Sequence, residues 1–311
     1  MPRTGRTRSL LAVLPLLALT ACGEAQQQDD RSPITLVNPT WSNGQANVAV
    51  AAEILEKELD YDVKVVKLDS EDAWKALHKG KADAILEDWG HPDLEKKYVN
   101  EKKTVVSAGD MGFEGHIGWY VPEYLANKHP DIINWKNLNR YAHLFRTAET
   151  GKKGRLLEGS PKFVTRDDDI IRSLDLNYET VYAGSEKAQI EEMRKRAKKR
   201  EPFLTYWWRP HWISTEIKLV QVNLPMYSSG CASNEHNASC GYPESELRKY
   251  FNADFAEERE KPAQLLKNMN WSEEDQNQVA GEIAGGTPPR EAAREWVKDS
   301  EAVWRTWFMG V

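Results

Sequence analysis

Residues 34–86 read ITLVNPTWSNGQANVAVAAEILEKELDYDVKVVKLDSEDAWKALHKGKADAIL, and their pattern decides the fold class. Three runs have the apolar, β-branched composition of strands, at 34–37, 63–68 and 82–86. The segments between them have the periodicity of helices, at 46–59 and 70–79. This order of strand, helix, strand, helix and strand predicts α/β layers around a parallel sheet. Because ligands of such sheets bind at the carboxyl ends of strands, the loops 38–44 and 87–93 are candidates for a ligand site.

The α/β pattern begins again after Leu138, and the end of the chain is predicted to be helical. Further strand candidates lie at 117–121, 179–182, 203–207 and 218–224, with a charged helix at 186–199. The helices predicted for the last part span 245–251, 260–269, 272–285 and 289–307. The sequence therefore indicates a second α/β region after the first.

The overall composition excludes several classes of protein. The 311 residues include 29% charged and 40% hydrophobic side chains, with a mean hydropathy of −0.67. These values exclude a multi-span membrane protein and a wholly disordered chain. A formal net charge of −6 argues against a nucleic-acid partner. Seven His and three Cys are too few and too scattered for a zinc framework, so no metal and no cofactor is expected.

The N-terminal segment has the features of an export signal. Arg3, Arg6 and Arg8 precede an apolar run at 10–19 that is too short to span a bilayer. The run ends in Leu-Thr-Ala-Cys at residues 19–22, which resembles the lipobox of bacterial lipoproteins. We therefore expect a signal peptide over 1–22, lipidation of Cys22 and a flexible tether over 23–33, which places the protein on the outer face of the cell membrane. The alternative is an ordinary signal peptide that happens to contain a cysteine.

The other two cysteines, Cys231 and Cys240, flank a short loop of small and polar residues. An exported protein meets an oxidising compartment, so we expect a disulfide between them. The alternative is a pair of free thiols.

Aromatic turns, rather than catalytic motifs, distinguish this sequence. It contains no Gly-x-Ser-x-Gly, Walker A, His-Glu-x-x-His or Gly-x-Gly-x-x-Gly motif. Three turns carry aromatic residues, with the sequences EDWGHPD at 87–93, GSPKF at 159–163 and YWWRPHW at 206–212. A quaternary ammonium group has no N–H to donate, so ring faces are the surfaces that hold it. The three turns therefore predict an aromatic cage, although any single Trp is more often a core residue.

These motifs also resemble a known family, the substrate-binding proteins of glycine betaine and proline betaine ABC importers (OpuAC and ProX). The resemblance runs from about Ile34 to the C-terminus. Its anchors are Asn-Pro at 38–39, GKADA at 80–84, Asp-Trp at 88–89, YVPEY at 120–124 and WRPHW at 208–212. The resemblance implies a two-lobed, periplasmic-binding-protein-like (type II) fold with a hinge and a ligand cleft between the lobes. It places the first lobe at 34–115 plus 225–311 and the second at 116–224.

The resemblance also implies roles for individual residues. The cage positions fall on Trp89, Phe163 and Trp208; the family usually has Trp where this chain has Phe163. In the family, a His and backbone N–H groups bind the carboxylate of the ligand. The residues implied here are His91 or His211, which the sequence does not separate, together with Ser42, Asn43 and the neighbouring Trp41.

The expected partners are a small solute and the membrane subunits of an ABC permease, with the binding protein itself a monomer. Glycine betaine is the expected ligand, and choline or another small solute is the alternative. A lipid-anchored hydrolase that uses His91 or His211 with Asp88 or Asp93 is a rival function, but it lacks an evident nucleophile.

The lipidation hypothesis predicts that Cys22→Ala releases the protein from the membrane. The thiol of Cys22 is the group that would be acylated, and the folded domain begins later in the chain. The distribution between membrane and medium is measured by fractionation, with Cys231→Ala/Cys240→Ala as the matched control that should stay on the membrane. Wild-type protein found free in the medium, with an N-terminus other than residue 22, contradicts the hypothesis.

Overall fold

The computed structural model describes Met1 and residues 32–228, 230–231 and 238–311. Apart from Met1, the predicted signal peptide lies outside the described residues, and so does Cys22. The same holds for residues 23–31 of the predicted tether. Among the residues described, no helix is long and apolar enough to cross a membrane.

Nine strands within the described residues join in a single sheet, in the order β2-β1-β3-β9-β4-β7-β5-β6, with β8 also paired to β4. Their bounds are β1 Ile34–Asn38, β2 Val63–Lys67, β3 Ala84–Asp88, β4 Val105–Pro122, β5 Gly154–Glu158, β6 Tyr178–Tyr182, β7 Leu204–Arg209, β8 Leu219–Gln221 and β9 Glu244–Asn252. Strand β1 is parallel to β2 and β3, and β5 is parallel to β6 and β7. The prediction of α/β layers with parallel strands is confirmed.

The helices pack on the faces of this sheet. Their bounds are α1 Ser42–Glu58, α2 Ser70–His78, α3 Pro92–Glu95, α4 Glu123–Lys128, α5 Leu138–Tyr141, α6 Asp167–Ser173, α7 Glu186–Lys198, α8 Ala253–Glu258, α9 Glu260–Asn268, α10 Glu273–Gly285, α11 Pro289–Asp299 and α12 Glu301–Trp304. A π-helical turn, Lys96–Glu101, follows α3, and short 3-10 turns include Trp212–Thr215 and Arg305–Phe308.

Strands β4 and β9 connect the two parallel groups of strands. Over 105–116, β4 lies antiparallel to β9, and over 116–120 it lies antiparallel to β7. Strand β9 in turn pairs with β3. One long strand therefore belongs to both halves of the sheet, and each half brings the carboxyl ends of its parallel strands toward the same region.

The segment 245–251, predicted to be a helix, is a strand. Its composition of Glu, Leu, Arg and Lys favours a helix, but β9 pairs with β3 on one side and β4 on the other. Leu247 and Lys249 are buried on either side of the half-buried Arg248, and all residues over 249–252 are buried between the neighbouring strands. Burial lowers the pKa of the Lys249 amine to about 8, and its Nζ donates to the carbonyls of Lys267 and Met269, both at 2.7 Å. Tertiary pairing therefore overrides local propensity.

Smaller boundary errors have local causes. Helix α2 is capped by Asp69, whose side chain accepts the N–H of Asp72. The long helix predicted over 289–307 ends at Asp299, because the chain turns at Ser300 before the short α12. Strand β5 was not predicted. Ser272 caps α10 with a capping box to Asp275.

Most tryptophans are core residues, and the predicted disulfide is present. Trp119, Trp296, Trp304 and Trp307 are all buried, as expected. Trp296 lies between two other indoles, 4.8 Å from Trp271 and 6.0 Å from Trp307 by ring centroids. Cys231 and Cys240 form a disulfide with their Cα atoms 6.0 Å apart.

Two carboxyl groups, those of Glu158 at the end of β5 and Asp167, are buried in the interior. Asp167, the first residue of α6, is buried and accepts from Trp119 Nε1 at 2.7 Å and from Tyr242 Oη at 2.6 Å. Glu158 accepts from Thr165 Oγ1 at 2.8 Å. Oε2 of Glu158 and Oδ2 of Asp167 are both buried without a donor, so one proton between them would satisfy both. Burial, with the Asp167 charge beside it, raises the pKa of Glu158 to about 10.

This carboxyl pair predicts a pH-dependent effect of Glu158→Gln. Because the folded pKa of Glu158 lies above its unfolded value, its contribution to stability is complete below about pH 4.5 and declines as pH rises toward 10. The amide of the substituted side chain does not titrate in this range and can donate to Asp167. The difference in melting temperature between variant and wild type should therefore become more positive from pH 5 to pH 9. Exposed Glu179→Gln is the control, and identical pH slopes for Glu158→Gln and wild type would contradict the proton assignment.

Candidate functional site

A buried carboxylate at the end of β3 holds two indoles from different loops. Oε1 of Glu87 accepts from Trp41 Nε1 at 2.6 Å and from Trp89 Nε1 at 2.8 Å. Trp41 precedes α1, and Trp89 follows β3. The parallel arrangement of β1 and β3 brings these two loops together, as predicted from residues 34–86. Glu87 therefore fixes the edge of each ring that points away from the cavity described below.

The other oxygen of Glu87 is held from two helices. Oε2 accepts from Asn47 Nδ2 and Gln276 Nε2, both at 2.7 Å. The orientation of Asn47 is set by Trp271, whose Nε1 donates to Asn47 Oδ1 at 3.0 Å. Burial raises the pKa of Glu87, and the four donated hydrogen bonds oppose that shift. A carboxylate with donors on both oxygens is a rigid anchor, because no hydrogen-bonding capacity is left for rearrangement.

The cavity lies between these indoles and the second half of the chain. Its volume is about 380 Å³, and part of this space is open to solvent. It is lined by Trp41, Ser70, Trp89, Ile117, Lys162, Phe163, Val164, Tyr206 and Trp208. Five of these nine side chains are aromatic, and they come from four separate segments of the chain. The three rings predicted as a cage, Trp89, Phe163 and Trp208, thus line one cavity together with the predicted Trp41.

The rings meet mostly edge to face. Trp208 lies 6.4 Å from Trp89 and 5.5 Å from Phe163 by ring centroids, with interplanar angles of 73° and 77°. Tyr206 stacks beside Phe163 at 6.4 Å. Behind Trp208, the ring of Trp207 stacks at 4.5 Å and fixes its plane. Rings at such angles surround a space with several π faces, which is the arrangement that attracts a cation.

The turn that carries Phe163 is positioned by the neighbouring strands. Tyr206 Oη donates to the carbonyl of Val164 at 2.9 Å, and Thr165 donates to Glu158 at the end of β5. A side chain at Gly159 would collide with Phe163 and Gln189, because its Cβ would lie 2.6 Å from each. The glycine therefore allows the turn to fold against β5 and to place Phe163 opposite Trp208.

The two candidate histidines lie in different surroundings. His91 does not line the cavity but a wider groove beside it, which contains several acidic residues and shares Trp89 with the cavity. Its Nδ1 is 2.8 Å from Asp88 Oδ2. Burial lowers the pKa of His91, but the hydrogen bond and charge of Asp88 outweigh it and raise the pKa overall. His211 is buried behind Trp208, with ring centroids 5.1 Å apart. Its Nε2 lies 2.7 Å from Glu186 Oε1.

Ser42 and Asn43 are also engaged by protein groups. The N–H of Ser42 donates to Glu186 Oε2 at 2.8 Å and its hydroxyl to Glu186 Oε1 at 2.7 Å. Asn43 Nδ2 donates to Gln276 and Asn277 on α10. Ser42 and His211 therefore converge on one carboxylate, that of Glu186, while His91 and Asn43 point to other partners.

Four residues of this region were not identified from the sequence: Glu87, Tyr206, Lys162 and Glu186. Glu87 and Tyr206 belong to the quoted aromatic turns, so their positions were available, but nothing indicated that a carboxylate would hold two indoles. Lys162 pairs with Asp69 at 2.6 Å, across 93 residues of sequence. Glu186 looked like an ordinary acidic residue in the first turn of a charged helix.

A family model described as the substrate-binding domain of ABC-type glycine betaine transport systems matches residues 32–299. The chain belongs to this family. The family consists of solute-binding proteins for ABC transport and not of enzymes, so the rival hydrolase is set aside.

Relatives and solved structures agree with this family and differ in what their names say they bind. The chain is 25% identical over 308 residues to the trimethylamine N-oxide-binding protein of Pelagibacter ubique, covering 95% of this chain and 97% of that one. Lactococcal OpuAC, closed on glycine betaine, superposes with a TM-score of 0.69 at 20% identity, over 89% of this chain and 99% of that one. An ABC-transporter choline-binding protein in complex with choline gives a TM-score of 0.70 at 20% identity, over 90% and 92%. These likenesses confirm the two-lobed fold.

The Glu87 anchor predicts that Glu87→Gln destabilises the protein and disturbs two indoles. Gln keeps the shape but replaces one acceptor oxygen by a donor, which leaves buried N–H groups unsatisfied at a cost of about 2–4 kcal/mol. The free energy of unfolding is measured by urea titration. In the ¹⁹F spectrum of protein labelled with 5-fluorotryptophan, the resonances assigned to Trp41 and Trp89 should shift most. Exposed Glu71→Gln is the control, and unchanged Trp41 and Trp89 resonances in Glu87→Gln would contradict the anchor.

Proposed function

We propose that this protein binds a small solute with a fully methylated nitrogen in the cavity lined by Trp89, Phe163 and Trp208. Membership of the family supports the role of a binding protein for an ABC importer. The observation that carries the ligand class is the convergence of these rings, with Trp41 and Tyr206, on one cavity. Methylated nitrogen offers no N–H, so π faces and dispersion supply the attraction.

The charges around the cavity also suit a cationic group. Glu87 lies directly behind Trp41 and Trp89, Glu186 lies behind His211, and Asp69 stands at the rim with Lys162. Three carboxyl groups against one lysine make the surroundings negative. A trimethylammonium group in the cavity would therefore gain attraction from the rings and from the field of the acids behind them.

The wider role follows from the family and from the N-terminal sequence. The protein would hold the solute outside the cytoplasm and deliver it to the membrane subunits of an ABC permease. Cys22 would carry the lipid that keeps it on the membrane, and the protein would act as a monomer. The lobes 34–115 plus 225–311 and 116–224 would close on the solute by bending where β4 passes between them.

The cage is common to several ligands, so it does not distinguish glycine betaine from choline. Both carry a trimethylammonium group and differ at the other end, where one has a carboxylate and the other a hydroxyl. Trimethylamine N-oxide, which the Pelagibacter relative is named for, carries three methyl groups and a single oxygen. Glycine betaine is the ligand expected from the sequence. Choline is the second candidate, because the choline-binding protein shares the fold and the cavity requires only the methylated end.

The cage predicts a loss of affinity when either central indole is removed. Trp89→Ala and Trp208→Ala each remove a ring face, and the expected cost is about 2 kcal/mol, or roughly thirtyfold in affinity. Tyr at either position should retain most of the binding, and Phe163→Trp should be neutral or better. Affinity is measured by calorimetry with tetramethylammonium, choline, trimethylamine N-oxide and glycine betaine.

Core indole Trp296 provides the control for this test. Trp296→Ala should lower stability through the loss of contacts to Trp271 and Trp307 and leave the affinity of the folded fraction unchanged. Wild-type affinity in both Trp89→Ala and Trp208→Ala, or no binding of any of the four ligands by wild type, would refute the cage.

A further inference from the structure

We propose that Glu186 occupies the anion position beside the cage and so selects methylated-nitrogen solutes that carry no carboxylate. This inference rests on the proposed function, because it concerns the second end of a ligand whose methylated end lies among the rings. In this proposal one residue of α7 determines whether the protein binds glycine betaine or a solute such as choline more tightly.

The carboxylate of Glu186 is surrounded by donors. Its Oε2 accepts the backbone N–H of Ser42 at 2.8 Å, and its Oε1 accepts the Ser42 hydroxyl at 2.7 Å. Nε2 of His211 lies 2.7 Å from the same Oε1. Nδ1 of His211 accepts the N–H of Ile213 at 3.1 Å, so a neutral ring carries its proton on Nε2 and donates to Glu186. Glu186 is 6% exposed and His211 1% exposed, so water does not compete for these bonds.

This position has the chemistry of a carboxylate-binding site. Ser42 is the first residue of α1, a helix of 17 residues, and its N–H, which has no acceptor within the helix, lies at the positive end of the helix dipole. A hydroxyl and an imidazole N–H complete three donors around one anion. Glu186 supplies that anion from within the chain, so the donors are satisfied before any ligand contributes to them.

The imidazole of His211 lies between this site and the cage residue Trp208. The ring of His211 is 5.1 Å from the ring of Trp208. Trp212 Nε1 donates to Ser42 Oγ at 2.8 Å, which ties the serine to the segment that carries Trp208. Ser42 follows Trp41, a residue that lines the cavity. One side chain, that of His211, therefore links the ring of Trp208 to the carboxylate of Glu186.

The other strong donors around the cavity are also taken by acids of the chain. The indole N–H groups of Trp41 and Trp89 donate to Glu87, and Lys162 pairs with Asp69. Among the described residues, the Nε1 atoms of Trp207 and Trp208 are buried without an acceptor, and of these two residues Trp208 lines the cavity. One such donor serves a hydroxyl or oxide oxygen, but it leaves most of the acceptor capacity of a carboxylate unmet.

A ligand carboxylate would meet Glu186 as a like charge in a buried setting. It would need either to displace Glu186 from three hydrogen bonds or to remain without donors, and both cost affinity. A solute with a hydroxyl or a single oxide oxygen meets neither penalty. The negative charge of Glu186 also adds to the attraction for the methylated cation.

The test compares ligands that differ at one end. Wild type and Glu186→Ala are titrated by calorimetry with choline, trimethylamine N-oxide, glycine betaine and tetramethylammonium, which has no second polar end. We expect wild type to bind choline or trimethylamine N-oxide at least about tenfold more tightly than glycine betaine. Glu186→Ala frees the donors, so its affinity for glycine betaine should rise by about tenfold or more, while its affinity for tetramethylammonium changes by less than about threefold.

Controls separate this effect from loss of charge and from unfolding. Glu191→Ala removes the same charge from an exposed position on the same helix and should leave the preference unchanged. Glu186→Gln keeps the size of the side chain and removes its charge, so it should also gain glycine betaine affinity if Glu186→Ala does not fold. Wild type that binds glycine betaine as tightly as choline overturns the inference, as does an unchanged preference in a folded Glu186 variant. If tetramethylammonium and the other three ligands all fail to bind wild type, the proposed function fails together with this inference.

Discussion

The ligand-facing surface depends on the buried carboxylate of Glu87. Its two oxygens receive four hydrogen bonds from Trp41, Trp89, Asn47 and Gln276. These donors belong to the loop before α1, the loop after β3, α1 itself and α10. A buried carboxylate is unfavourable unless donors replace the water it has lost, so the four groups and the acid hold one another in place. Because the Nε1 edges of both indoles are held, the faces of the two rings are held as well. A ligand that is bound without hydrogen bonds requires ring faces in fixed positions.

The second half of the site is held by a comparable arrangement around Glu186. Ser42 contributes two donors from the start of α1, and His211 contributes a third from the segment after β7. Glu87 and Glu186 therefore both hold nearby hydrogen-bond donors in contacts within the protein. What remains facing the cavity is mostly ring surface. The acidic side chains of the protein accept the hydrogen bonds of these donors. The surface that faces the cavity is therefore mostly apolar and electron-rich.

The sequence was sufficient for the elements whose local signals agree with their environment. The first three strands and α1 were predicted because apolar periodicity, turns and burial coincide there, and the aromatic turns followed from strand ends in a parallel sheet. The helix predicted for 245–251 was wrong because this segment pairs with a strand on each side. Its residues favour a helix, and no local pattern in the sequence reveals the two neighbouring strands. The roles of Glu87 and Glu186 were missed for a related reason. Their partners lie 40 or more residues away in sequence, except for Trp89 and His211, and an acid near an aromatic turn gives no sign of which donors it will meet.

The contacts that join the segment before β4 to the segment after it make very different contributions to stability. Asp69 and Lys162 form an ion pair at 2.6 Å, but the lysine side chain is 69% exposed, and such surface pairs contribute at most about 1 kcal/mol. The contact of Ser42 with Glu186 is buried and carries two hydrogen bonds, one of them to a helix N-terminus. The same side chain therefore links the two segments and fills the position that a ligand anion would need. A solute that left Glu186 in place would add its cage contacts to an existing link, whereas a solute that displaced it would have to replace that link before it contributed anything to closure. Under the proposed function, ligand choice and closure would both depend on the single carboxylate of Glu186.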